Sequence, residues 1–153
     1  MTLFKYIIVF LILNFGALAI GSWLMANGPQ TDWYQSLNKA PWTPPGWVFG
    51  FAWTSIMICF SIYMAYLYKQ INKISVIILF VVQFLLNVIW NYIFFNQHLV
   101  GLGFTTIVLL TAVVAVFTIK YIRKMGLLTL LILPYLIWLC IASSLNAYIL
   151  LNN

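Results

Sequence analysis

The sequence predicts an all-α membrane protein, a bundle of five transmembrane helices with a long Trp- and Pro-rich first loop. Three observations carry that prediction. Of 153 residues, 65% are hydrophobic and 5% charged, with a mean hydropathy of +1.08, whereas soluble domains carry about 25% charged residues. A spanning helix needs about 20 apolar residues, so the apolar runs leave room for several spans and for no soluble domain. The seven Lys and Arg face a single acid, Asp32, and they sit at the ends of apolar runs. The net charge of +6 therefore reports orientation and lipid contact rather than nucleic-acid binding. Residues 1–153 read as one transmembrane domain.

The first predicted helix covers residues 3–26. Lys5, the apolar run behind it and Ala17-Leu18-Ala19 imitate a signal peptide with its cleavage site. The run continues over residues 6–26, however, which is span length, so a retained helix is expected. Ala17 and Gly21 make a small-xxx-small pair suited to close helix packing inside the bundle. Residues 27–43 form the first loop. The stretch 32–53, DWYQSLNKAPWTPPGWVFGFAW, holds four of the seven tryptophans, three of the five prolines and the only acid. Indoles gathered at one mouth suit either a belt of interfacial anchors or the rim of a pocket.

The second predicted helix covers residues 44–68, with Thr43 as N-cap and Pro44 in the first helical position. Trp42 and Trp47 then hold the places of a hydrophobic staple. Phe49, Trp53, Met57 and Phe60 share one face, a pattern that fits core packing and leaves ligand contact open for Trp53. In the third helix, residues 74–95, Gln83, Asn87 and Asn91 recur every four residues beside Trp90 and Phe94. Amides in hydrocarbon must find partners, so that face looks into the bundle, toward other helices or a cavity. His98 stands alone in the next turn, a poor metal candidate without a second ligand.

The fourth helix, residues 102–119, reads as aliphatic scaffold closed by Lys120, Arg123 and Lys124. The fifth covers residues 127–151 with Pro134 inside it, which predicts a kink or an opened backbone site. Tyr135, Trp138, Ala142 and Asn146 line one of its faces, and the small residue between indole and amide leaves room for a pocket floor. Cys59 and Cys140 lack metal or disulfide spacing and read as small buried hydrophobes. With five spans, every cation except Lys39 falls on one side. The positive-inside rule then places the N-terminus in the cytoplasm and the first loop and C-terminus outside, for a protein of a bacterial cell membrane.

Three motifs, WYQSLNKAPWTPPGWVFGFAW (33–53), QFLLNVIWNYIFF (83–95) and PYLIWLCIASSLN (134–146), occur in order at five-helix spacing. With these the chain resembles the TspO/MBR family, the tryptophan-rich sensory proteins and the mitochondrial translocator (peripheral benzodiazepine receptor) protein. The resemblance implies a five-helix bundle, commonly a homodimer, whose first loop closes over a pocket between the helices. That pocket is known for porphyrins such as protoporphyrin IX and haem, for benzodiazepine-site ligands and, in eukaryotic members, for sterols. Carried onto this chain, the ligand-binding residues would be Phe49, Trp53, Asn87, Trp90, Tyr135, Trp138, Ala142 and Asn146. Trp33, Trp42, Pro44 and Pro45 would shape the lid. Some bacterial members are reported to degrade protoporphyrin in light, and there Trp53 and Trp138 match the implicated pair. The chain departs from the family pattern at Phe51-Ala52 (usually Pro-Val), Met57 (commonly Tyr), Asn91 (frequently Ser) and Thr106 (often an acid). Tyr148 has no downstream Lys or Arg, so the weak sterol-recognition pattern is missing and sterol transport is the least supported activity.

A tetrapyrrole receptor or sensor fits these residues first, because a flat π-system suits an indole-lined slot. No cofactor is required, no metal site is expected, and no axial haem ligand stands at pocket depth, which favours a metal-free porphyrin. An enzyme that degrades the porphyrin is the alternative. The chain offers no acid–base pair or nucleophile, so such chemistry would rest on the ligand's own photochemistry. A carrier of small amphipathic molecules would lack the intramembrane carboxylate or histidine of proton-coupled transport. A purely structural bundle leaves the proline-braced indole loop without a purpose.

Overall fold

In hydrocarbon the backbone must satisfy its own N–H and C=O groups, and a helix does so locally. The computed structural model describes residues 1–153 and is helical throughout, without strands. Five helices are long and apolar enough to cross a membrane. They are α1 (Leu3–Leu24), α3 (Gly46–Gln70), α4 (Ile74–Asn91), α5 (Val100–Met125) and α6 (Leu133–Asn152). The short α2 (Asp32–Ser36) lies in the first loop, a π-helical turn over Tyr92–Asn96 prolongs α4, and a 3₁₀ stretch over Gly126–Leu131 links α5 to α6.

The spanning helices close into a ring in the order α1, α3, α6, α5, α4, with α4 returning to α1. Aromatic rings fill the middle. Phe60 of α3, fully buried, meets Phe80 of α4, Phe117 of α5 and Tyr135 of α6 at centroid distances of 6.2, 6.0 and 5.1 Å. Polar bonds pin the same core. Asn14 Nδ2 donates to Ser61 Oγ at 2.8 Å, and the Tyr135 hydroxyl donates to Gln83 Oε1 at 2.9 Å. Such bonds between membrane helices contribute about 0.6 kcal/mol on average, up to about 1.7. Gly21 shows why a small residue is needed on α1: a Cβ there would lie 2.7 Å from Asn91 Nδ2 of α4. The Ala17–Gly21 pair thus serves packing within the bundle.

The element boundaries correct several sequence expectations. Thr43 does not cap the second spanning helix and Pro44 is not its first residue; α3 starts at Gly46 with Pro45 as extended N-cap. The reason lies in the tandem prolines. The Pro45 ring disfavours helical backbone at Pro44, so the helix must wait until both are passed. Thr43 instead donates its hydroxyl to the Ala40 carbonyl at 2.7 Å, and the exposed Trp42 and Trp47 form no staple. The fourth spanning helix runs past Lys120, Arg123 and Lys124 to Met125, where these cations complement the helix C-terminus. It stops at Gly126, whose φ of 54° is in the region that favours glycine. Pro134 does not kink a helix. It occupies the first turn of α6, where its missing N–H has no cost. Cys140 is exposed on the outer face of α6 and Cys59 half-buried, against the expectation of two buried thiols. A segment apolar on every side gives no hint of which face meets lipid.

Candidate ligand site

The inner face of α6 carries Trp138, Ala142, Leu145, Asn146 and Ile149, all buried at helical spacing. Opposite stand Phe49 and Trp53 from the start of α3, Trp90 from α4, and Phe94 and Phe95 from the π turn. Tyr34 of α2 closes the top. Together these side chains surround a cavity of about 30 Å³, the share of one water molecule in the liquid. The rings meet one another across it. Phe49 lies edge-on to Trp138 at 5.3 Å, and Trp90 stacks on Phe94 at 5.6 Å and 12°. Trp90 Nε1 donates to Asn146 Oδ1 over a long 3.4 Å, while Asn146 Nδ2 donates to the Ala142 carbonyl at 2.9 Å.

The π turn explains why two consecutive phenylalanines both face inward. An extra residue in one turn shifts the helical register, so Phe94 and Phe95 are both buried where an α-helix would splay them by about 100°.

The first loop is fastened down at several points. Thr31 Oγ1 accepts from the Tyr34 N–H, and Asp32 in the first turn suits the N-terminal end of α2. Trp33 stacks on His98 at 3.9 Å and 8° and meets Phe94 edge-on at 5.7 Å. Tyr34 packs on Phe95 at 5.4 Å, with the Lys39 ammonium 4.8 Å over its ring. Burial raises the Tyr34 phenol above its usual pKa, keeping it neutral at ordinary pH. Beyond α2, the Asn38 N–H donates to Asn153 Oδ1 at 2.8 Å, and Asn153 Nδ2 returns to the Asn38 carbonyl at 3.2 Å. Trp42 Nε1 donates to Ser144 Oγ at 3.1 Å and its ring meets Tyr148 at 5.5 Å. Gly28 completes the seat: a Cβ there would fall 2.5 Å from Phe95 Cβ.

Of the residues singled out from sequence, Phe49, Trp53, Trp90, Trp138, Ala142 and Asn146 come together around the cavity. Two do not. Tyr135 lies below it, bonded to Gln83 and edge-on to Trp53 at 6.1 Å, so it supports the indole from beneath. Asn87 is buried in the bundle, and its carbonyl accepts from Asn91 Nδ2 at 3.0 Å. In the loop, Trp33 sits above Phe94 without lining the cavity, Trp42 lies against the outside of α6, and Pro44 and Pro45 set the entry of α3. Sequence reasoning did not assign Tyr34, Phe94, Phe95, Leu145 and Ile149 to the site. Periodicity with Trp138 and Ala142 marks Leu145 and Ile149, and adjacency to Trp90 marks Phe94. Nothing local announces Phe95.

A model of the TspO/MBR family matches residues 8–151. The chain belongs to the TspO/MBR family. Among curated relatives, a "Tryptophan-rich protein TspO" from Archaeoglobus fulgidus is 38% identical over 87% of both chains. "Protein CrtK" of Rhodobacter capsulatus is 35% identical over 74% of both. The human "Translocator protein" is 29% identical over 78% of this chain and 74% of its own length. Within the TspO/MBR frame, the departures at Met57 and Thr106 are accommodated internally. Met57 is buried in the core, and Thr106 donates its hydroxyl to the Leu102 carbonyl at 2.8 Å.

The lining offers aromatic faces, one amide and no carboxylate or imidazole. His98 is exposed in the loop, stacked on Trp33 and outside the cavity. Such a surface can hold and orient a flat ligand, and it carries no group suited to acid–base catalysis.

Proposed function

We propose that this TspO/MBR membrane protein is a receptor or sensor that binds a tetrapyrrole of the protoporphyrin IX type between its helices, under the first loop. The observation that supports it is the convergence of Trp53, Trp90 and Trp138, from α3, α4 and α6, on one cavity capped by Tyr34 of the loop. Indoles on facing walls reward an extended π-system through stacking and area burial. Ligand pockets usually span about 300–1,000 Å³, so the cavity of about 30 Å³ is a closed state that a porphyrin must open. The loop gives way first in this reading, because its ties to α6 are neutral hydrogen bonds to Asn153 and Ser144 at the rim. Swinging Trp90 from Asn146 then frees an amide for the polar edge of the macrocycle. The lysine-rich end faces the cytoplasm and the loop faces outward, in a bacterial cell membrane, with two copies pairing as a homodimer.

Light-dependent degradation is the second reading. It is favoured by the oxidisable ring pair Trp53 and Tyr135 at 6.1 Å beside Trp138. A protoporphyrin IX titration of the detergent-purified protein, followed by tryptophan quenching and the porphyrin spectrum, tests both. Saturable quenching with a spectrum unchanged under light in air is expected for a receptor. Loss of the porphyrin bands that disappears in a Trp53→Phe/Trp138→Phe variant would establish the enzyme instead. Absence of saturable quenching would overturn the tetrapyrrole reading.

A further inference from the structure

At the opposite end of the bundle lies a second and much larger cavity. It has a volume of about 580 Å³ and is lined by α1, α3 and α4, among them Tyr6, Val9, Phe10, Tyr68, Phe80 and Val81. Every lining residue is hydrophobic. The groove opens between α1 and α4, where Val9, Ile77 and Val81 are exposed on the outside of the ring. An apolar groove on a membrane-facing surface meets hydrocarbon chains, so its natural content is aliphatic.

The charges around its mouth say more. Lys5 precedes Val9 and Leu13 by four and eight residues on α1, which places it on the stripe that lines the groove. Lys73, the N-cap of α4, stands three residues before Val76 and four before Ile77, both lining residues. Lys69 follows Tyr68, whose ring meets Tyr6 at 5.4 Å. All three lysines are exposed. The α4 N-terminus between them has no side-chain cap, so its first N–H groups and its positive dipole end are free for an anion. The only acidic side chain of the protein, Asp32, sits in the first loop at the far end. No carboxylate side chain competes for these cations.

We propose that this groove is a binding site for an anionic phospholipid. One acyl chain lies along α1 and α4, and the phosphate sits among Lys5, Lys69, Lys73 and the start of α4. The hydrocarbon of the groove and the cations at its mouth are separated along the bundle axis as tail and headgroup are in a lipid. Cations near an anionic headgroup each strengthen binding several-fold at low salt, and the effect weakens as salt screens it. The site is distinct from the aromatic cavity, since Phe49, Trp90 and Trp138 are absent from its walls.

Native mass spectrometry of the detergent-purified protein, with dioleoyl phosphatidylglycerol or dioleoyl phosphatidylcholine added, tests the assignment. The wild type is expected to retain one phosphatidylglycerol with roughly tenfold preference over phosphatidylcholine. Lys5→Gln/Lys69→Gln/Lys73→Gln should abolish that preference, while Lys120→Gln/Arg123→Gln/Lys124→Gln, at the end of α5 outside the groove, should keep it. Val81→Trp, which fills the groove from its exposed rim, should remove the retained lipid and leave the fold intact by circular dichroism. Inorganic phosphate at matched ionic strength should not displace the lipid. Equal retention of both lipids would overturn the proposal, as would retention unchanged by both the lysine and Val81 variants. So would a Val81→Trp protein that loses self-association but keeps its lipid, which would make the groove a seam between two copies.

Discussion

The two cavities of this bundle differ in almost every physical respect. The one under the first loop measures about 30 Å³ and is walled by aromatic rings that already satisfy one another. The one between α1 and α4 measures about 580 Å³ and is walled by residues facing an open lipid side. Volume ranks the second first, yet the chemistry for recognising a specific flat molecule lies in the first. Rings contact each other when no ligand is present, because empty apolar space forfeits dispersion contacts. Aliphatic walls beside a bilayer feel no such pressure, since lipid chains fill the gap. A small cavity in an aromatic cluster can therefore be a closed binding site, and a large one can be a lipid groove.

The sharpest test of that contrast is Trp138→Ala, expected to weaken protoporphyrin IX binding by about thirtyfold, or ~2 kcal/mol. The same change at Trp23, 78% exposed on α1, should leave the affinity unaltered. Quenching titrations of the two proteins compare them directly, and Trp138→Phe, which keeps a ring in place, should fall between. Equal losses would remove the special standing of the α6 face.

Gly28→Ala should act almost as strongly through the loop. Its Cβ would collide with the Phe95 backbone-proximal atoms at 2.5 Å, an overpacking that costs about 1–3 kcal/mol. Faster proteolysis of the first loop and a lower melting temperature are the expected readouts. A protein as stable and protected as wild type would show that the loop is not seated through Phe95.

Tyr135→Phe probes the layer beneath the cavity. Removing the hydroxyl leaves Gln83 Oε1 without its donor, for an expected destabilisation of about 0.6–1.7 kcal/mol in unfolding from detergent. Porphyrin affinity should change little, because Tyr135 supports Trp53 without lining the cavity. A large affinity loss at unchanged stability would place Tyr135 inside the site after all.

The smallest effect concerns the rim. Asn38→Ala leaves the Asn38 backbone bonds with Asn153 but removes the side-chain donation to the Asn152 carbonyl at 3.1 Å. A single exposed neutral bond contributes about 0.5–1.5 kcal/mol. Stopped-flow quenching should show porphyrin entering and leaving a few-fold faster at nearly constant affinity. Unchanged rates would argue that the loop does not gate entry.

What the sequence determined by itself is the part governed by local period and by hydrocarbon. Length and apolarity fixed five spans, because a backbone in lipid has no alternative to the helix. Spacing of three and four brought Trp138, Ala142 and Asn146 to one face of α6 and directed the amides of α4 inward. The paired small residues Ala17 and Gly21 marked a close helix approach before any partner was known. Motif resemblance, more than period, singled out Trp53 and Trp90 as neighbours of that face.

Tertiary structure decided the rest. Which apolar face meets lipid, as at Cys140, depends on neighbours, since a membrane helix is hydrophobic all round. The ring order set Tyr135 under the cavity rather than in its wall. Pro134 begins a helix because the preceding 3₁₀ stretch turns the chain, and tandem prolines delay α3 to Gly46 for a steric reason that pattern matching passes over. The inward pair Phe94-Phe95, the Trp33–His98 stack and the fastening of Asn38 to Asn153 join segments up to 115 residues apart. Hydropathy and helical period are properties of a local window, and these contacts exist only once the whole ring has closed.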